Sequence, residues 1–390
     1  MRVSRTTGSQ SSLREANRTL VVDTVKAFGG LTQVELIDAT GLSAATVSTI
    51  VKELTTSGVV DTRPTSRSGR RAQMVTLSPQ TGIAAGVHIG ARQIRVLLGD
   101  FAFTTLAATS MPIPFDEPAD TGLDRITLML AEMVEGVGRS MAELVGVGIA
   151  CPAPVDSTGM ISVPGLMPGW EGEQLGDVVA KRLGCSVHVD NDANLGALAE
   201  MTLGASRDVA DSLWLKVSDG VGAGLVIGRR VHRGFAGAAG EIGHIQVDPT
   251  GSICRCGNRG CLETVVGTEA LLAPLLPHYG HLTLRNLVDR ALAGDAGCSR
   301  VIADAAARIG WVTATLCQAV NPPLVVVGGQ LAETGELFLG PLRSALHQHT
   351  MRNLLGPVDV VASQLGPSAE ATGALVYAVQ QTDVTHRSET

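Results

Sequence analysis

Four residues whose side chains bind metal ions lie close together in the middle of the chain: His244, Cys254, Cys256 and Cys261. Thiolate sulfur and imidazole nitrogen are preferred zinc ligands, and four of them complete a tetrahedral shell. Because this set leaves no position for water, it indicates a structural ion rather than a catalytic one. We predict that Zn²⁺ binds here and stabilises a loop that is otherwise irregular.

A second polar group follows the apolar run Val187–Val189 and contains Asn191 and Asp192. Polar side chains just after a buried strand can point into a cleft between two lobes, where ligands commonly bind. The same residues also fit an Asx turn that caps the next helix. The segment is therefore a candidate binding site with a purely structural alternative.

The elements that would position these residues form a pattern typical of an α/β body. From Ile83 onward, short apolar runs alternate with helical stretches, and glycines lie at the strand ends. This alternation predicts a body with more than one lobe. Hydrophobic residues make up 45% of the chain and charged residues 17%, which favours a globular protein over a disordered or fibrous one.

The N-terminal region has a different pattern, with three short helices before a strand pair. Apolar residues at helical spacing predict a first helix over Leu13–Phe28. Thr32 and Glu35 match a capping box at the start of a second helix, and Ser43 caps a third. A basic hairpin from Arg63 follows, so the region resembles a winged helix-turn-helix.

The third helix of this head carries one apolar stripe and leaves small and polar side chains exposed. Short hydroxylated side chains near a helix N-terminus can approach phosphates and base edges in a major groove, and arginines of the hairpin can enter the minor groove. A solvated linker is the alternative for the arginines taken alone. The predicted DNA contacts are Ser43, Ala44, Thr46, Ser48, Thr49, Lys52, Arg67, Arg70 and Arg71.

The charge distribution agrees with a nucleic-acid partner for the head only. The first 78 residues contain ten Lys or Arg against six Asp or Glu, whereas the remainder contains 20 against 31. A polyanion would therefore be bound by the head and repelled by the body. The chain has no run of 18 apolar residues and no apolar signal-peptide core, so we expect a cytoplasmic protein.

Several motifs occur in the order found in the sugar kinases and regulators of the ROK family, a branch of the actin-like ATPase fold. They are His88–Arg92, Val163–Trp170, Asp190–Asn194, Ser218–Gly224, Gly240–His244 and Cys261–Glu263. The resemblance implies a two-lobed, sugar-kinase-like body behind the winged helix-turn-helix. It also implies that Asn191, Asp192, Glu241, His244 and Glu263 bind a sugar, with Asp192 at the position of the kinase base.

Three departures from the kinase pattern predict that phosphorylation has been lost. His88 replaces an acid that helps to hold magnesium, Arg92 fills the first phosphate turn, and Asp219 places a carboxylate in the second. Like charges about 4 Å apart cost roughly 4 kcal/mol at an effective dielectric of 20, so Asp219 would repel a γ-phosphate. A further departure, Gly165, leaves the choice of sugar open.

The domain limits that follow from these patterns are given by residue number. We expect a disordered N-terminus at 1–12, the winged helix-turn-helix at 13–80 and a flexible tail at 382–390. The first lobe is predicted to comprise 81–192 and 366–381, and the second lobe, with the zinc-binding loop, 193–365.

These features predict a transcription regulator that responds to a sugar or amino sugar. The resemblance to the ROK family implies that it represses carbohydrate genes. A homodimer or homotetramer would bind double-stranded DNA at a pseudo-palindromic operator. One alternative is an ATP-dependent hexose kinase with an added DNA-binding head. Others are a head that docks protein partners, and a cleft that takes a phosphorylated sugar or none.

Overall fold

The computed structural model describes residues 10–67, 70–114, 118–161, 167, 170, 174–351 and 356–383. Side chains are described for these residues except 10, 11, 67 and 70. The helices are α1 (Gln10–Phe28), α2 (Gln33–Thr40), α3 (Ala44–Thr56), α4 (Ala119–Gly136), α5 (Leu175–Leu183), α6 (Asp192–Leu203), α7 (Glu263–Val266), α8 (Thr268–Leu272), α9 (Leu276–Tyr279), α10 (Leu284–Leu292), α11 (Ala296–Val320), α12 (Glu336–His349) and α13 (Ala369–Gln381).

The strands form three sheets. They are β1 (Leu31–Thr32), β2 (Val60–Arg67), β3 (Arg70–Leu77), β4 (Ile83–Ile89), β5 (Gln93–Asp100), β6 (Thr105–Pro112), β7 (Leu144–Cys151), β8 (Ser186–Asn191), β9 (Ser212–Val217), β10 (Val221–Ile227), β11 (Arg230–His232), β12 (Leu324–Gly328) and β13 (Asp359–Ala362).

The head consists of α1–α3 and the three-stranded sheet β1-β3-β2. Side chains of Thr32 and Glu35 complete the predicted capping box of α2, and Ser43 caps α3 as predicted. Helices α2 and α3 meet at an angle of 117°. One predicted limit is wrong, because α1 begins at Gln10, so the stretch 10–12 is helical; residues 1–9 lie outside the described chain.

The body contains two sheets with the same connectivity. In lobe 1 the strand order is β6-β5-β4-β7-β8, and in lobe 2 it is β11-β10-β9-β12-β13. In each sheet the first three strands are antiparallel, and the last two run parallel to the first. The body is therefore a structural duplication, which the sequence did not reveal as a repeat.

Two helices at the centre of the body cross between the lobes. Helix α6 follows the last strand of lobe 1 and packs on β9 and β10 of lobe 2, whereas α13 follows the last strand of lobe 2 and packs on β4 and β7. The two helices touch at Gly373, where a Cβ atom would lie 1.8 Å from the carbonyl oxygen of Leu195. Glycine is therefore required for this approach.

The head and the body share one hydrophobic core. Val21 and Val25 of α1 pack in the same cluster as Leu375 and Val379 of α13. Lys26 is 5% exposed and donates a hydrogen bond of 2.6 Å to the carbonyl oxygen of Thr382. The predicted flexible tail therefore does not begin at Thr382, which is buried; residues 384–390 lie outside the described chain.

Within the described residues, no single helix is both long enough and apolar enough to cross a bilayer. Only the bent pair α2 and α3 reaches the required length and hydropathy when the two helices are taken together, and this pair is the helix-turn-helix of the head.

Candidate effector cleft and DNA-binding face

A cleft of about 650 Å³ opens between the two lobes. It lies at the carboxyl ends of β4, β8 and β9, the edge at which parallel strands present ligand-binding side chains. All the residues that the sequence analysis assigned to sugar binding line this one cleft, although they come from positions up to 72 residues apart in the chain. They are Asn191, Asp192, Glu241, His244 and Glu263.

Asp192, at the first position of α6, is the most deeply buried carboxylate of the cleft. The Lys216 ammonium forms an ion pair with Asp192, and His88 Nε2 lies 3.6 Å from Asp192 Oδ2. Burial alone would raise the pKa of Asp192, but the charge of Lys216 and the contact with His88 outweigh it and hold that pKa below its usual value. The carboxylate therefore stays ionised and available as a hydrogen-bond acceptor.

Lys216 has the complementary shift. Burial would lower the pKa of this lysine, but the charges of Asp192 and Glu370 raise it above its usual value. Both members of the pair are thus charged at neutral pH. A general base would need Asp192 free of this ammonium, so the pair disfavours proton abstraction by Asp192.

Glu241 and Glu263 supply further acceptors on the lobe 2 side of the cleft. Burial, and then the charges of Asp192 and Glu263, raise the pKa of Glu241 to about 7. Glu263 is held by an ion pair with Arg255 of the cysteine-containing loop. His244 Nε2 lies 3.9 Å from Glu241 Oε2, so this ring also faces the cleft.

Asn191 caps helix α6, which is the structural alternative to ligand binding that the sequence also allowed. Its Oδ1 accepts hydrogen bonds from the backbone N–H groups of Ala193 and Asn194, and therefore caps α6. Its Nδ2 donates to the carbonyl oxygen of Ala153. The Asx-type cap is thus present, and only the second N–H of the amide remains for a ligand.

The metal-ligand set predicted from the sequence comes together in space. The ligand atoms of His244, Cys254, Cys256 and Cys261 all lie within 4.8 Å of one another. His244 Nδ1 is 3.5 Å from Cys254 Sγ, and Cys256 Sγ is 3.7 Å from Cys261 Sγ. Tetrahedral zinc with bonds of about 2.3 Å to sulfur separates two sulfurs by about 3.8 Å, so the cluster fits a metal ion.

The two glycine-rich turns occupy equivalent places, after β4 in lobe 1 and after β9 in lobe 2. Arg92 lines the cleft at the first turn, and Asp219 lines it at the second. Thr268 Oγ1 donates to Asp219 Oδ1 at 3.3 Å, which fixes this carboxylate beside the turn. Gly165, where the sequence departs from the family pattern, lies outside the described residues.

The exposed face of α3 matches the pattern expected of a recognition helix. Ser43, Ala44, Ser48, Thr49 and Lys52 are exposed, while Val47, Ile50, Val51 and Leu54 are buried. Thr46 is half-buried, and its Oγ1 lies 2.8 Å from Ser43 Oγ. On the hairpin Arg71 is exposed, whereas the side chains of Arg67 and Arg70 lie outside the described residues.

Comparison with protein families settles the classification of the body. Residues 84–381 match the model of the ROK family. The chain belongs to the ROK family. Residues 16–71 match a MarR family model, which agrees with the helix-turn-helix of the head.

Known relatives of this ROK protein include regulators and kinases. It is 26% identical to the xylose repressor of Caldicellulosiruptor bescii, with 95% of this chain and 97% of that protein covered. A solved ROK family transcriptional regulator, described as a homolog of the E. coli MLC protein, matches with a TM-score of 0.74 at 23% identity over 94% and 97% of the chains. A ROK glucokinase from Streptomyces griseus, solved with glucose and AMPPNP, matches with a TM-score of 0.69 at 29% identity over 77% and 100%.

Five charged residues that line the ROK cleft were not predicted from the sequence: Lys216, Arg255, Glu269, Glu333 and Glu370. A signal for Lys216 was present, because it interrupts the buried strand Leu213–Val217 directly before a glycine-rich turn. A lysine in an apolar strand must find a counter-charge. Its partner could not be named from the sequence, since Asp192 belongs to the other lobe.

Proposed function

We propose that this chain is a transcription repressor whose DNA binding responds to a sugar or amino sugar held between the lobes. The head would contact the major groove with α3 and the minor groove with the β2–β3 hairpin. A homodimer or homotetramer would bind a pseudo-palindromic operator in the cytoplasm. Zn²⁺ at His244 and the three cysteines would be structural. The domain limits are as given from the sequence, except that α1 starts at Gln10 and the packed chain extends to Thr382.

The observation that carries this proposal is the path from the cleft to the head along α6. The first residue of this helix, Asp192, lies in the cleft, and its last residues, Thr202 and Leu203, pack against Gly29 of the head. The helix is buried over nearly all of its length, which is about 18 Å at 1.5 Å per residue. We therefore expect a displacement at one end of the helix to be transmitted to the other.

Two arginines beyond α6 fix the turn of the head that leads into β1. Arg229 donates to the carbonyl oxygen of Met201 at 3.3 Å and lies 4.1 Å from the ring centre of Phe28. Arg207 donates a hydrogen bond of 2.8 Å to the carbonyl oxygen of Gly30. We call Arg207 and Arg229 the head clamp. Since β1 pairs with β3, movement of the clamp would reorient the hairpin.

The zinc loop and the cleft are also connected, which supports a regulatory rather than a catalytic use of the site. The ion pair between Arg255 and Glu263 ties a cleft carboxylate to the loop that the metal would order. The imidazole of His244 would bind zinc through Nδ1 and face the cleft with Nε2. Loss of the metal would therefore weaken sugar binding as well.

Replacing Arg70 and Arg71 by alanine is expected to weaken operator binding by about 10- to 100-fold. If each arginine neutralises one phosphate, the slope of log affinity against log salt should fall by about two. Operators are first selected from a random duplex pool with the full-length, zinc-loaded protein, and affinities are then measured by fluorescence anisotropy. Arg139→Ala, an exposed position in lobe 1, is the matched control. Parental affinity in the double variant would exclude the hairpin from DNA binding.

Replacing Arg229 by alanine is expected to uncouple the two sites. The variant should bind sugar and operator within about threefold of the parent, because Arg229 contacts neither. The sugar-induced change in operator affinity, typically about 5- to 150-fold in coupled systems, should fall below about twofold. Arg230→Ala, an exposed neighbour, is the control. Parental coupling in Arg229→Ala would show that the signal takes another route.

The alternatives have distinct outcomes in the same preparation. Turnover of an aldohexose with ATP and Mg²⁺ that Asp192→Asn abolishes would establish a kinase, the activity of the glucokinase relative. Failure to enrich any DNA sequence at low ionic strength would instead favour a head that docks a protein.

A further inference from the structure

The duplication of the body places four charged or polar groups at matching positions around the cleft. His88 is the second-last residue of β4, and Lys216 is the second-last residue of β9, the equivalent strand of lobe 2. Asp192 and Glu370 likewise lie in the first turns of α6 and α13, the helices that follow the fifth strands. Each sheet, together with the helix that follows its fifth strand, thus contributes one base and one acid to a common centre.

Lys216 lines the cleft near the end of β9. Its ammonium contacts Asp192. The charges of Glu370 and Asp219 also raise the pKa of Lys216. The side chain of Lys216 is only 13% exposed, and that of Asp192 only 5%. One ammonium therefore pairs with Asp192 and lies within electrostatic range of two further carboxylates, so negative charge exceeds the positive charge of Lys216 around this pair.

This charge balance decides which ligands the cleft can accept. Ionised carboxylates accept hydrogen bonds from sugar hydroxyls, and a neutral sugar needs no counter-charge. A phosphate ester brings about two negative charges, and the ammonium beside Asp192 is already neutralised by that carboxylate.

On the basis of the proposed function, we infer that Lys216 is the specificity-determining residue of the cleft. Paired with Asp192, it fixes that carboxylate as an acceptor for an uncharged sugar, while the carboxylates left in excess around the pair disfavour the phosphorylated form of the same sugar. Lys216 is thus a positioning residue for the effector.

The test is calorimetric titration of the full-length, zinc-loaded protein with D-xylose, D-glucose, N-acetylglucosamine, glucose 6-phosphate and N-acetylglucosamine 6-phosphate. At least one unphosphorylated sugar should bind, and glucose or N-acetylglucosamine should bind at least about 100-fold more tightly than its own phosphate ester if it is the ligand. Lys216→Met should weaken binding of the bound sugar at least about tenfold. Lys181→Met, which removes an exposed lysine on α5, should leave it unchanged.

Thermal unfolding provides a readout that does not depend on the sugar. Lys216→Met leaves Asp192 buried without its partner and should lower Tm, whereas adding Asp192→Asn should restore most of the loss. Tighter binding of a phosphate ester, unchanged sugar binding by Lys216→Met, or no rescue of Tm by Asp192→Asn would each overturn the role of Lys216 while leaving a sugar effector in place. Binding of none of the five ligands would remove the sugar effector itself and this role with it.

Discussion

Replacing Cys256 by serine is expected to abolish metal binding and to lower the Tm of the protein by about 10 °C or more. Cys256 supplies one of four ligands within 4.8 Å of one another, and three ligands hold zinc far less tightly than four. Structural zinc sites contribute on the order of 10 kcal/mol to folding, part of which should remain with the lobe 2 core. Metal content by mass spectrometry and calorimetric unfolding would measure both effects.

A matched control separates loss of the metal from loss of a thiol. Cys185 is half-buried in lobe 1, far in sequence from the cluster, and Cys185→Ser should retain one zinc ion per chain. Sugar affinity should fall in Cys256→Ser and stay at the parental value in Cys185→Ser, because the loop also places Arg255 against Glu263. A parent protein that holds no metal, and whose unfolding a chelator leaves unchanged, would refute the zinc site.

Gly373→Ala is expected to destabilise the protein by about 3 kcal/mol or more, lowering Tm by roughly 4 °C or more for a chain of 390 residues. The added methyl group would lie 1.8 Å from the carbonyl oxygen of Leu195, so α13 and α6 would have to separate. Backbone atoms on both sides prevent the local adjustment that a flexible side chain would allow. Because the same helices connect the cleft to the head, surviving protein should also show weaker coupling between sugar and DNA.

Gly340 provides the control for this substitution. It lies inside α12, and a Cβ atom there would meet only Glu336 Oε2 at 3.6 Å, an ordinary contact. Gly340→Ala should therefore stabilise the protein by about 0.5–1 kcal/mol through helix propensity. If Gly373→Ala were instead as stable as the parent, the close approach of α6 and α13 would not be a constraint on the fold.

Features set by neighbouring residues were predicted correctly from the sequence. The capping box at Thr32 and Glu35 and the cap at Ser43 are formed as expected. The buried stripe of α3 and the convergence of the four metal ligands also agree. Errors occurred at element ends: α1 starts at Gln10 rather than Leu13, and Thr382 is buried rather than part of a free tail. Both ends are fixed by packing between head and body, which local propensity does not report.

By itself, the sequence determined the class of the protein, the head, the cluster of one histidine and three cysteines, and the positions of Asp192, Glu241 and Glu263 in the cleft. Each depends on spacing over a few residues or on a motif with fixed chemistry. Only the tertiary structure decided that the two lobes are duplicates, that Lys216 neutralises Asp192, and that Arg229 holds the head against α6. These contacts join residues from different lobes or domains, and their partners are chosen by the packing of whole sheets and helices.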